Sequence, residues 1–242
     1  MVMVAWPTTY NGDANQASLD TLSSVLGSGT NSVLYQDLVK TQKAVDAGSF
    51  HDCAELSCNF YVYAMGDSRD KGDLTKLYSE LMASLDKFAK DGVTKDRLEQ
   101  LKGQAEADAI FALESVEGKV TQLASNQTFF GNPDLIEEQL EQLHAVTPAS
   151  VEKVYRDFIQ GKNKVTLSVV PSGKTELAVK PATFVTPKRT LPKYEKITDD
   201  QLAYRRATDN FDRSVQPPVG APVEATMPKL YDIHFKNGSE LL

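Results

Sequence analysis

The chain has 242 residues, with 26 basic and 33 acidic side chains and a formal net charge of −7. Apolar residues make up 41 %, which suits a packed domain and excludes a disordered chain. The acidic balance lacks the Lys/Arg footprint that nucleic-acid phosphates require. No apolar run approaches the roughly 18 residues a membrane span needs.

Charge patterning adds no basic amphipathic helix, so a membrane surface is not an expected partner. The opening MVMVAWPTTY has no basic flank or small-residue cleavage site and is not a signal peptide. It reads at once as a strand, so the chain is expected to begin within a longer protein. Val2, Val4 and Trp6 alternate as one buried face.

Asp13 is expected to cap a helix bearing Leu19, Leu22, Val25 and Leu26 on one side, with Gly27 stopping it. A Gly-Ser-Gly turn leads to a second short helix, Ser32 to about Val39. The stretch near Ala44 to Phe50 and the segment Leu56 to Ala64 read as an antiparallel hairpin. In the second strand Leu56, Cys58, Phe60, Val62 and Ala64 share a face, and Glu55, Ser57, Asn59, Tyr61 and Tyr63 take the other.

Asp73 is expected to cap a helix with Leu74, Leu77, Leu81, Leu85 and Phe88 at three- and four-residue steps, closed by Gly92. Thr94 starts another, whose inner stripe is Leu98, Leu101, Ala105 and Ala109. Further helices cover about 116–130 and 134–144. Thr147-Pro148 is a strong start signal for a helix with Val151, Val154, Tyr155, Phe158 and Ile159 inward, ended by Gly161. A last strand, Lys164 to Val170, is expected to turn Val165, Leu167 and Val169 to the core.

The order is thus β-α-α-β-β followed by five helices and a strand. It implies a two-layer α/β (α+β) sandwich, a largely antiparallel sheet with helices on one face. Eight of the eleven prolines lie from Pro171 to Pro228, and proline density disfavours packed regular structure. The expected organisation is a folded domain at 1–172, a Pro-rich connector at 173–226 and a new beginning at 227–242.

Side chains that carry chemistry are scarce. A helical zinc site needs two histidines one turn apart, and His51, His144 and His234 are far apart in sequence. His51, in HDCAE, reads as an exposed histidine at a hairpin edge rather than a ligand. His144 suits the last turn of a helix, and His234 an alternating strand. Cys53 and Cys58 form a lone C-x4-C pair, a poor zinc signal. Two free, half-buried thiols are preferred over a disulfide across the hairpin.

No G-x-S-x-G elbow is present. LGSGTNS lacks the lysine of a phosphate loop and reads as a helix stop and tight turn. Glu137, Glu138 and Glu141 read as a solvated face. The expected catalytic, cofactor-binding and metal residues are therefore none.

The helix ending VLGSGTNSVLYQDLVKTQKAV, the segments GVTKDRLEQLK, LHAVTPASVEKVYRDFI and NKVTLSVVPSGK, and their collinear order resemble one family. It is the pitrilysin/insulinase-type (inverzincin) zinc metallopeptidases, and residues 1–172 resemble the second α/β domain of one half of such an enzyme. MPKLYDIHFKNGSELL resembles the opening strand and Asn237-Gly238 turn of the next half.

The resemblance implies a parent in which zinc, held by an inverted H-x-x-E-H motif, activates water against a peptide carbonyl. That motif is absent here. This chain is accordingly expected to be inactive alone and to carry no cofactor, with Zn in the parent. Its expected partners are the zinc-bearing domain and second half of the same protein, and through them peptide substrates.

Substrate-gripping domains of the family carry an arginine and, seven residues on, a tyrosine. Aligned on Leu38, those positions hold Val39 and Asp46, which points to the catalytic half and a role as chamber wall. Resemblance to secreted and periplasmic members makes the periplasm or exterior the expected location. A structural, core-subunit-like member and a peptide-binding module using a sheet edge remain alternatives.

Overall fold

A computed structural model describes residues 1–67, 74–181 and positions 210, 212, 214, 215, 220, 233, 234, 240 and 241. Its contacts divide the chain into two compact units, Met1–Val185 and Thr186–Leu242. In the first, strands β1 (Val2–Pro7), β2 (Asp46–Cys53), β3 (Cys58–Met65) and β4 (Val165–Ser168) form one antiparallel sheet in the order β2-β3-β1-β4. The second contains the short antiparallel pair β5 (Ile233–His234) and β6 (Glu240–Leu241); the Asn237-Gly238 turn lies outside the described residues.

Strand alternation builds the core. Val2, Val4 and Trp6 of β1 pair across from Ala64, Val62 and Phe60 of β3, and all six are buried. Against this face pack α1 (Gln16–Gly27), through Leu19, Leu22, Val25 and Leu26, and α2 (Leu74–Asp91), through Leu77, Leu81, Leu85 and Phe88. Each fully buried Leu or Phe contributes roughly 1.5–3 kcal/mol by leaving water. The opposite sheet face carries half-exposed Met3, Ala5, Tyr61 and Tyr63.

The four expected start signals resolve differently. Thr94 caps α3 (Lys95–Ala112) by accepting from Arg97 N, and Thr147 and Ser150 form a reciprocal capping box on α6 (Pro148–Val154). Asp13 does not cap α1: the N-cap is Asn15, and the Asp13 carboxylate instead accepts from the Asn15 backbone N–H at 2.8 Å, closing an Asx-turn just before the helix. Asp73 lies outside the described residues. Two segments, Tyr35–Val39 and Tyr155–Ile159, widen into single π-helical turns.

Other expectations are corrected. Leu56 is not on the β3 face but in the hairpin loop, 86 % exposed. Ala105 is exposed, so the inner stripe of α3 ends at Leu101. Val165 and Leu167 do not turn to the core. They pair with Ala5 and Met3 on the open face and are 68 % and 51 % exposed. The alternation in β4 is real, but register with β1 sets its phase. The helices α4 (Val116–Phe130) and α5 (Ile136–Ala145) complete the first unit close to their expected bounds.

Candidate functional site

Because β2 and β3 pair with Cys53 opposite Cys58 and His51 opposite Phe60, these four side chains share the helix-facing side of the sheet. The loop 54–57 closes with Ala54 N–H donating to Ser57 O at 2.9 Å. The segment after β1 clamps the hairpin end: Thr8 N–H donates to Cys58 O at 2.9 Å and Cys58 N–H to Thr9 O. With Cα atoms 4.0 Å apart, Cys53 and Cys58 form a disulfide, not two free thiols. The lone C-x4-C spacing carries no information on strand register, and it is the register that aims both Cβ atoms the same way.

His51 is also corrected. Its side chain is fully buried, 0 % exposed. The hairpin edge is roofed by the first turns of α1, from which Asp20 reaches down. Asp20 Oδ1 lies 2.6 Å from His51 Nδ1, and Thr8 Oγ1 lies 3.0 Å from Nε2. An ionised carboxylate can only accept, so Nδ1 carries the proton and a neutral ring accepts at Nε2 from the Thr8 hydroxyl. Cys53 Sγ stands 3.9 Å from both ring nitrogens. The ligand-type atoms of His51, Cys53 and Cys58 all lie within 4.8 Å of one another.

The Asp20 side chain is half exposed on its other side and lines a groove of about 510 Å³ between α1, α3, α4 and α5. Amides dominate the polar lining, among them Gln16, Gln122 and Gln139, with Glu138 adding a second carboxylate. At the bottom Asn126 is 1 % exposed. Its Oδ1 accepts from Gln122 at 3.1 Å and Gln139 at 3.4 Å, and its amide N–H donates to Pro133 O at 3.2 Å.

The remaining histidines lie on other elements. His144 ends α5 and faces Glu106 at 3.4 Å, and His234 sits in β5 of the second unit. Val39 and Asp46, at the positions of the family's gripping pair, end the first π turn and start β2. Sequence reasoning missed the Asp20–His51 pairing. The i, i+2 placement of His51 and Cys53 in one strand was the available signal.

Residues 1–105 match the family model of the peptidase M16 inactive domain. Over those residues the chain is similar to a domain of the M16 inactive type. The pitrilysin/insulinase resemblance read from the collinear segments therefore holds. Among curated relatives, the uncharacterized zinc protease YmxG of Bacillus subtilis is 27 % identical over 153 residues, covering 63 % of this chain and 36 % of that protein. The mitochondrial cytochrome b-c1 complex subunit 2 of Rattus norvegicus is 25 % identical over 167 residues, covering 65 % and 36 %. The chain thus spans about a third of the length of these relatives.

Solved structures show the same fold. The inactive peptidase domain of a Bordetella parapertussis protein superposes with a TM-score of 0.62 at 16 % identity, covering 71 % of this chain and 92 % of that one. A Helicobacter pylori protease gives 0.61 at 23 % identity, covering 68 % and 40 %. The periplasmic protease PqqL of Escherichia coli gives 0.52 at 14 % identity, covering 68 % and 18 %.

Proposed function

We propose that this domain serves a zinc metalloendopeptidase as a non-catalytic element, supporting the zinc-bearing domain and forming part of the wall of an enclosed chamber. One observation carries the reading: residues 1–105 match the model of the M16 inactive domain in a chain that holds no H-x-x-E-H motif. Catalysis would belong to the zinc domain of the same protein, and this domain contributes no catalytic, cofactor or zinc-ligand residue to it. Val39 and Asp46 in place of the gripping Arg/Tyr pair support assignment to the catalytic half, the opposite half supplying the grip. The open sheet face with Met3, Tyr61, Tyr63 and Leu167 offers a mixed apolar and hydroxyl-bearing wall for peptides. A periplasmic or secreted location is supported by the Cys53–Cys58 disulfide, which suits an oxidising compartment, and by the likeness to PqqL.

The purified chain supplied with Zn²⁺ is expected to leave a quenched fluorescent peptide uncut. The whole protein cleaves it and loses that activity to a chelator. Zinc-dependent turnover by the chain alone overturns the reading.

The match to the cytochrome b-c1 subunit favours one alternative, a purely structural member. A parent protein without H-x-x-E-H, inert toward peptides with and without zinc, decides for it.

A further inference from the structure

The Asp20–His51–Cys53 arrangement around the buried imidazole is not used by the proposed chamber-wall role and does not depend on it. A histidine with no accessible side-chain surface, held by a carboxylate at 2.6 Å, stands beside the disulfide. Asp20 fixes the tautomer and steadies the imidazolium, as a third group does for the base of a nucleophilic pair. Cys53 Sγ lies 3.9 Å from the ring nitrogens. The two sulfurs are unequal: Cys53 is half-buried, while Cys58 is buried at the foot of β3.

We propose that Asp20, His51 and Cys53 form a relay that makes the hairpin disulfide a thiol–disulfide exchange site. Cys53 is its reactive sulfur, Cys58 its resolving sulfur, and dithiols and low-molecular-mass disulfides its reactants. In the reducing direction one thiolate of a dithiol attacks Cys53 Sγ. The Cys53–Cys58 bond breaks, a mixed disulfide forms, and Cys58 leaves as a thiolate that takes up a proton. The second thiol of the reagent then attacks its own sulfur in the mixed disulfide. It leaves as a cyclic disulfide, having passed two electrons to the protein.

The freed Cys53 is held as a thiolate beside His51, whose ring has taken the proton released by the reagent's second thiol and whose charge Asp20 balances. Nε2–H then turns from Thr8 to the sulfur. In the oxidising direction this thiolate attacks a small disulfide and expels one of its halves as a thiolate; the Cys58 thiolate then attacks Cys53 Sγ, re-forming the Cys53–Cys58 bond and expelling the other half as a second thiolate.

Facing the imidazole are Asp20 from α1, Thr8 from the segment after β1, and Cys53 and Cys58 of the hairpin. Asp52 points to the other sheet face and Glu55 lies in the loop. An imidazolium partner lowers a thiol from about 8.5 into the range of roughly 3.5–7.5.

The test is iodoacetamide alkylation of the full chain, reduced with a phosphine that is then removed, across a pH series with peptide mass spectrometry resolving the two cysteines. Expected are modification of Cys53 ahead of Cys58 and a rate midpoint below roughly 7.5. Asp20→Asn and His51→Gln are expected to raise that midpoint and slow alkylation at neutral pH by about tenfold. Cys58→Ser, which leaves Cys53 unpaired, should keep the low midpoint; circular dichroism checks that each variant folds, and the reduced wild type serves alone if one does not. A Cys53 midpoint near 8.5 or above overturns the proposal, as does preferential reaction of Cys58. So does a midpoint that folded D20N and H51Q leave unmoved.

Discussion

Tyr155 shows how one buried polar group ties two helical segments together. Its hydroxyl donates to Leu85 O at 2.9 Å while its ring meets Phe88 edge-on at 5.1 Å. Burial, and then the nearby Asp86 charge, push the phenol up to about 12. Above its ordinary 10.0 the unfolded chain releases this proton while the folded chain still holds it. Stability from the neutral phenol is therefore intact below pH 10 and lost as the pH rises toward 12. Tyr155→Phe is expected to flatten that alkaline slope and to cost about 1 kcal/mol at neutral pH. Urea unfolding at several pH values measures both, and an unchanged slope in the variant contradicts the assignment.

Gly27 makes a second argument at the same scale. It ends α1 as its position in the sequence implies, but the reason is space rather than a left-handed turn. A Cβ there would sit 2.0 Å from the Ser49 backbone N, so the helix end could no longer touch β2. Gly27→Ala is expected to destabilise by at least about 2 kcal/mol. Gly29, with φ +73° and open space around it, should cost only the roughly 1–2 kcal/mol of the left-handed region. Denaturation midpoints of the two alanine variants check the ranking, and equal losses would remove the close-approach explanation.

Elements were legible where local chemistry decides them. Thr147-Pro148 announced α6, and the structure adds the reciprocal Ser150 contact and the Ser18–Ser150 hydroxyl bond at 3.0 Å to α1. Since α6 has only seven residues, Thr147→Ala removes much of its terminal bonding. A loss of about 1 kcal/mol is expected, read by thermal unfolding; no loss would show that packing of Val151 and Val154 alone holds the helix. The β1 and β3 faces were legible from alternation for the same reason. The phase of β4 was not, because its register depends on a partner strand more than 150 residues earlier in the chain. Nor was the hairpin cluster: His51 looks exposed until α1 is folded over it, and that contact couples Asp20 to a residue 31 positions away.

At the scale of the whole molecule, composition argues most directly. The proposed boundary near residue 172 rests on prolines, eight of eleven falling between Pro171 and Pro228. Each removes a backbone donor and resists helix or ladder, so segment 173–226 is proposed as a connector rather than a second core. Before it, the four-stranded sheet and its helices share one buried cluster running from Val2 to Ile159. Backbone bonded within such a core resists the local opening that a protease needs. The connector carries trypsin targets at Lys174, Lys188, Arg189, Lys193 and Arg205. Brief digestion is expected to cut there first and leave a stable product that contains residues 1–172. Mass spectrometry of the earliest products identifies the sites, and a first cut inside residues 1–170 would place the boundary elsewhere.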